Sequence, residues 1–325
     1  MMRWLVLLVW FISLLSSELI AQDNLKLFAG PVKLHDLYTL SLLHASFAPD
    51  IPVICGDDFS FGFALGISNT FNAEGKGYRV DSEEEIFDFY ATFGLGRDLE
   101  FSISMPLIFR GGGLFDSAID GWHELVLLPK GRRGKAGTNE YSVVGYNEDG
   151  TEFRIAERGF AQGDLKLELK RSMGELAFWD DSALKLLLSL PTSRATFGND
   201  SFDMGLQFLG GNSLGCSVAL YWGLGIVFYA DDELGNLHFH RWNPSAFSSL
   251  EYRVTESLFL SGSLLGQSAS VESVEHFRGY AIYCDFALKY VFATSGLFEF
   301  AIRENPAPSE STADVTVYFA STWHF

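Results

Sequence analysis

Between Asp164 and Lys170 the chain reads DLKLELK, with Leu165, Leu167 and Leu169 on one set of alternate positions and Asp164, Lys166, Glu168 and Lys170 on the other. A helix would scatter these charges around its circumference. A strand sorts them onto one face, because successive strand side chains point to opposite sides. The same beat of two recurs along the chain. Phe61, Phe63, Leu65 and Ile67 share a face, as do Phe87, Phe89, Ala91, Phe93 and Leu95, and then Leu99, Phe101, Ile103, Met105 and Leu107. Near the C-terminus Val315, Val317, Phe319, Trp323 and Phe325 alternate with Asp314, Thr316, Tyr318, Thr322 and His324. Segments of this kind begin near residues 60, 84, 99, 161, 182, 201, 214, 246, 257, 280, 296 and 313.

The connections between them carry a second rhythm. Short turns are expected at Gly96–Asp98, Gly210–Ser213, Thr255–Ser257 and Ala293–Gly296, where the residue types suit tight hairpins. Longer connections are expected over 70–83, 110–160, 191–200, 230–245, 267–279 and 304–312. Ser172–Asp181 is the exception, longer than its short siblings. Short turns at one end and long loops at the other, with an even number of strands, define the expected fold class. It is all-β: a transmembrane antiparallel up-and-down barrel of about 12 strands with one long outer loop, 110–160.

Composition agrees. The chain is 48% hydrophobic and contains 30 Phe, yet beyond residue 21 it has no apolar run long enough for a membrane-spanning helix. The apolar run Trp4–Leu15 behind Arg3 is too short to span and matches a secretory signal peptide, with cleavage expected after Ala21. Export and an apolar outer face together point to a bacterial outer membrane. A net charge of −18 excludes nucleic acid as a partner. Three cysteines (Cys55, Cys216 and Cys284) cannot make a disulfide scaffold. Residues 22–58 are irregular, and three placements stay open: a periplasmic strap, a plug in the lumen, or an extra strand. Phe319, Trp323 and Phe325 resemble the terminal signal read by the barrel-assembly machinery, an expected partner alongside outer-membrane lipid and lipopolysaccharide.

The stretch Arg110-Gly-Gly-Gly, followed by Asp116, Gly121-Trp122-His123-Glu124 and Leu128-Pro129, resembles the bacterial family catalogued as domain of unknown function 3187. The resemblance continues through Gly163-Asp164-Leu165 and Leu190-Pro191-Thr192 and covers about Gly30 to Phe325. It implies an outer-membrane-type barrel and no particular activity. The segment after Pro31, VKLHD, departs from the family pattern.

Candidate binding residues on the outer loop are Arg110, Asp116, His123 and the basic cluster Lys130, Arg132, Arg133 and Lys135, the last four suited to lipopolysaccharide phosphates. Asp116, Ser117 and His123 have the residue types of a hydrolytic triad without its geometry, and the expectation is a non-enzyme. His238 and His240 lack a third ligand at metal spacing. No metal or cofactor is expected. The inward face carries Asp164, Lys166, Glu168, Lys170, Lys185, Asp285, Lys289, Glu299 and Arg303, which either fill the lumen as ion pairs or line a wet pore. The leading reading is a channel or solute-binding barrel for a small molecule. The alternatives are a lipid-modifying enzyme and a plugged structural barrel.

Overall fold

The structure, a computed structural model, describes residues 24–53, 58–74, 77–96, 98–112, 141–176, 179–292, 295–306 and 311–325. Twelve strands form the wall. They are β1 (Phe59–Glu74), β2 (Tyr78–Gly94), β3 (Leu99–Gly111), β4 (Leu165–Leu176), β5 (Trp179–Leu190), β6 (Asp203–Ser213), β7 (Val218–Tyr229), β8 (Trp242–Arg253), β9 (Leu258–Gln267), β10 (Ala281–Phe292), β11 (Gly296–Glu304) and β12 (Val315–His324). Each pairs antiparallel with its neighbours in sequence, and β1 pairs with β12, from Ser60 opposite His324 to Asn69 opposite Val315. The meander is therefore a closed barrel. Closure leaves no strand edge to be desolvated in lipid. Among the described residues no helix is long and apolar enough to cross a membrane. The wall crosses with strands.

Alternation sorts the two faces as the sequence pattern requires. Met204, Leu206, Leu224, Ile226, Leu264 and Phe286 are exposed on the outside, Phe286 by 65%, which in an aqueous solvent would be an aggregation surface and in a bilayer is a lipid-facing belt. The last strand ends in the same belt. Phe325 and Phe59 exchange backbone hydrogen bonds at 2.8 and 3.1 Å, their rings stack at 6.0 Å, and Trp323 packs on Phe63 and Phe292.

Three connections differ from expectation. Residues 70–83 are not a loop: β1 and β2 continue as a paired ribbon past the 9–11 residues that cross the hydrocarbon. Gly210–Ser213 lie inside β6, and the turn falls at 214–217, because paired strands extend as long as cross-strand partners are available. Cys216 is therefore in a turn, while Cys284 is on the outer face of β10. Ser172–Asp181 is no long connection either, since β4 and β5 run through it with register shifts around Gly174. The other departure is on β3. Pro106 has no N–H to donate, and the strand changes partner there, from 166–171 of β4 to the short strand Gly159–Gln162.

Residues 24–53 pack inside the wall, against its inward-facing side chains. The segment enters at the short-turn end, where Leu25 and Phe28 pack with Leu209, Tyr221, Phe247 and Phe259. It rises through Val32, Leu34 and Leu37 and turns in the short helix Ser41–Leu43 at the outer end. Tyr38, Leu40 and Leu43 are capped there by Tyr78, Val80, Phe153, Phe239 and Phe277 from the strand extensions and outer hairpins. The chain then descends to β1. Its two limbs are tied together by Lys33 to Asp50 at 2.9 Å and by the His35 ring to the Ser46 carbonyl at 3.1 Å.

The wall is shaped to receive this hairpin. Gly205 on β6 and Gly225 on β7 face Phe47, and a Cβ on either would come within 2.7 Å of its ring. Two glycines thus make a socket for one fully buried aromatic. Phe47→Ala should weaken docking of the descending limb by about 3 kcal/mol. Hydrogen exchange of the amides of 44–50 should then accelerate by roughly two orders of magnitude. Unchanged protection would show that the limb is held by its polar contacts alone.

Candidate functional site: the gap beside the lumenal hairpin

The inward charges form five groups, and four of them grip the hairpin. Glu251 accepts hydrogen bonds from the Gly30 and Ala29 N–H groups at 2.8 and 3.2 Å, while the Lys289 ammonium donates to the Gly30 carbonyl and faces Glu299 at 3.6 Å. Arg303 holds Asp285 through two bonds of 2.6 and 2.8 Å and donates its remaining N–H groups to the Leu34 and His35 carbonyls at 3.0 and 2.8 Å. Asp36 takes the Tyr283 hydroxyl at 2.6 Å and a Gln267 amide. Asp50 is met by Lys185 at 3.3 Å and Lys170 at 3.6 Å, with Glu168 and Glu100 completing the network at 3.3 and 3.0 Å. On the outer half Asp203 accepts from the Ala45 N–H at 2.7 Å. Asn199 donates to His44, whose ring stacks on Tyr229.

The fifth group is a latch. Arg110, placed on the outer loop by the sequence reading, is instead an inward residue of β3 and fully buried. Its guanidinium pairs with Glu84 of β2 at 2.8 Å, donates to the Thr196 carbonyl at 3.1 Å, and lies 4.7 Å over the Phe197 ring. Arg110 therefore fastens the outer connection 191–200 to β2 and β3, and it stands in the wall rather than on an exposed loop. A strand that continues to Gly111 turns the even-numbered Arg110 inward, as it does Ser104 and Ile108. Asp164 anchors the same connection from below, accepting from the Thr192 and Ser193 N–H groups at 3.0 and 2.9 Å.

Beside the hairpin, against β1–β4, the lumen stays open. A cavity of about 490 Å³ begins at the short-turn end, between Phe28, Glu100, Glu256 and His324, and reaches Lys33, Tyr90 and Thr92. The same three residues bound a second, smaller cavity of about 120 Å³ that continues along Asp88, Ser104 and Lys166 to Ile108 and Phe197 under the latch. So the sequence-predicted residues divide: Lys185, Asp285, Lys289 and Arg303 serve the grip on the hairpin, Lys170 and Glu299 belong to the same networks and also line the larger cavity, and Asp164, Lys166 and Glu168 line the smaller one. Asp116, His123, Lys130, Arg132, Arg133 and Lys135 lie outside the described residues. His238 and His240 are surface residues near Glu233 and Glu272. At the outer rim, hydrogen bonds from Arg241 hold Asp232 below the usual carboxylate range. Asp50, Glu84, Asp88 and Asp203 escaped the sequence reading. For Glu84 and Asp88 the period of β2 was a usable signal, whereas Asp50 lies in a segment with no period at all.

A family profile described as "Protein of unknown function (DUF3187)" matches residues 45–325. The chain belongs to this family. The match begins within the hairpin and takes in the whole wall of this DUF3187 barrel. No curated protein matches it. Among solved structures it resembles the COG4313 outer membrane channel from Pseudomonas putida F1, with a TM-score of 0.58 at 13% identity, covering 86% of this chain and 100% of that one. The likeness shows an outer-membrane-type barrel fold. The NanC porin follows with a TM-score of 0.48 at 7% identity, covering 81% of this chain and 98% of that one. The P. putida toluene transporter TodX has a TM-score of 0.40 at 10% identity, covering 93% and 94%.

Breaking the latch on one side should be costly. Glu84→Ala leaves Arg110 buried without its counter-charge, and equilibrium refolding in micelles should show a loss of about 3–5 kcal/mol. The double replacement Glu84→Leu with Arg110→Met should recover most of it, because two apolar groups need no partner. Equal losses in single and double variants would show that the pair contributes packing rather than charge compensation.

Proposed function

We propose that this barrel is a channel through which a small solute crosses the outer membrane along the gap between the lumenal hairpin and β1–β4. The observation that carries the reading is that the two cavities share Lys33, Tyr90 and Thr92 in their linings; joined there, they would make one path from the short-turn mouth to the Arg110 latch. Phe197 and the connection 191–200 stand at its outer end, so this conformation is the shut one. The passage is narrow because a filled lumen is what a twelve-stranded wall permits: its interior is wider than that of a packed eight-stranded barrel and far narrower than an open porin.

The exposed belt would be clothed in outer-membrane lipid and lipopolysaccharide, the latter meeting Lys130, Arg132, Arg133 and Lys135 of the long loop. Phe319, Trp323 and Phe325, on the outer face of the closing strand and its end, suit recognition by the barrel-assembly machinery during insertion. A signal peptide cleaved after Ala21 would deliver the chain to it.

Planar-bilayer recordings test the reading. The intact chain should give brief, small openings. Arg110→Ala should raise the open fraction several-fold, and deletion of residues 24–53 should give a larger, steady conductance. Silence from all three would leave the protein a sealed surface barrel and overturn the channel.

A further inference from the structure

Most inward charges have partners, and the exceptions stand together. Asp88 of β2 and Lys166 of β4 both face the cavity beside the hairpin. The Asp88 Oδ1 is buried and accepts no hydrogen bond. Lys166 is the cation that acts on it through space, but no ion pair joins them within 4.0 Å and neither side chain bonds to the hairpin. Register explains the separation. Asp88 lies opposite Pro106, and Lys166 lies opposite Ser104, so the two are on strands flanking β3. Two strand spacings put roughly 10 Å between their main chains.

A buried carboxylate oxygen without a donor is expensive to maintain unless something fills it. An ammonium would fill it, and a carboxylate at the other end of the same molecule would meet Lys166, each through a charge-assisted bond. Between the two charges the wall presents Ser104 and Pro106, and beyond them lies apolar surface from Ile86 and Ile108 of the wall and Leu37 of the hairpin. A solute with a single charge would leave one of the two protein groups unanswered. A neutral one would leave both.

We propose that the gap binds a small zwitterion with an ammonium, a carboxylate and a short aliphatic body, its ammonium on Asp88 and its carboxylate on Lys166. The proposal rests on the channel reading, in that this zwitterion is the solute passed. It goes further by assigning the binding step to two residues that have no part in holding the hairpin. Its size is set by the cavity: the compact end of the path, near 120 Å³, admits a molecule of amino-acid dimensions.

The test is equilibrium binding of radiolabelled L-valine to the detergent-solubilised full chain, with competition by 5-aminopentanoate, isobutyrate and isobutylamine. Saturable binding is expected. Competition by the two singly charged compounds should be weaker than by unlabelled valine by about tenfold or more, one charge-assisted bond being lost. Preference for 5-aminopentanoate over valine would support the site and fix the charge spacing. Asp88→Asn and Lys166→Gln should each weaken valine binding by about tenfold or more. The exchanged pair, Asp88→Lys with Lys166→Asp, should restore it with the ligand reversed, which a merely structural role for either residue would not do.

Absence of saturable binding, indifference to both single substitutions, or equal competition by isobutyrate would overturn the proposal. Conductance of the same preparation separates the two readings. Ion current without valine binding removes the ligand class and leaves the channel. Valine binding without current in any variant removes the channel, and with it the claim that the zwitterion is carried.

Discussion

A charge enclosed by a barrel wall has lost bulk water and must be answered by something in the lumen, and much of this protein's interior follows from that constraint. Glu251, Asp285, Lys289 and Arg303 are essentially inaccessible. Neighbouring strands answer some of them, as Asp285 answers Arg303. The rest of the answer comes from the hairpin, and largely from its main chain: the Gly30 N–H and carbonyl, and the Leu34 and His35 carbonyls. The arrangement serves both parties. A non-repetitive segment threaded through a barrel has backbone groups that no sheet satisfies, and the wall's side chains satisfy them. Buried ion pairs are poor sources of net stability, but an unanswered buried charge is strongly destabilising. The pairing therefore acts mainly on position: a hairpin shifted along the lumen would strand several charges at once.

Steric fit works in the same direction. Phe47 enters the recess that Gly205 and Gly225 open between β6 and β7, and the apex of the hairpin is sealed by apolar side chains from the outer ribbon and hairpins. Outside, the constraint is different. Lipid offers no hydrogen bonds, so the wall has to close on itself, and the pairing of β12 with β1 does so out to the mutual backbone bonds of Phe59 and Phe325. One chain thus obeys two solvents, and the beat of two in its sequence is the record of both.

That beat made the wall legible. DLKLELK placed β4 with Lys166, Glu168 and Lys170 inward, and the terminal run placed β12 with Phe319 outward, because strand geometry converts parity directly into direction. Lengths were less legible. Nothing in 70–83 distinguishes a loop from a ribbon that rises beyond the bilayer, since the alternation there serves contacts with outer hairpins rather than lipid. The hairpin's course was illegible for a deeper reason: its residues bond through their main chains, and a main chain leaves no mark in sequence. The role of Arg110 was hidden similarly. The sequence reading put it on the outer loop, while its partner Glu84 lies 26 residues earlier and becomes adjacent only through the pairing of β2 with β3.

The position of the open path follows from how unevenly the hairpin is held. Most of its polar attachments run around β4–β11, from Lys170 and Lys185 through Asp203, Glu251, Gln267 and Lys289 to Arg303, while at the outer end the Thr39 and Ser82 hydroxyls meet at 2.5 Å on β2. Toward β1–β3 the contacts near mid-depth are apolar, with Leu37 against the wall at Gly66, and Asp88 reaches no atom of the hairpin within hydrogen-bonding distance. Near mid-depth the gap is thus the stretch of wall that meets the hairpin through apolar contact alone. At that face β3 is also interrupted by Pro106, with a Gly163 N–H closing onto the Pro106 carbonyl at 2.9 Å where the strand changes partner. A lumenal segment held on one side needs only small movements of its free side, of Phe197 and of the latch to widen the path, while its grip on the opposite wall stays intact. A hairpin anchored all round would have to leave the lumen before anything could pass. On the proposed channel reading, the uneven distribution of charge in the wall would separate what stays fixed from what has to move.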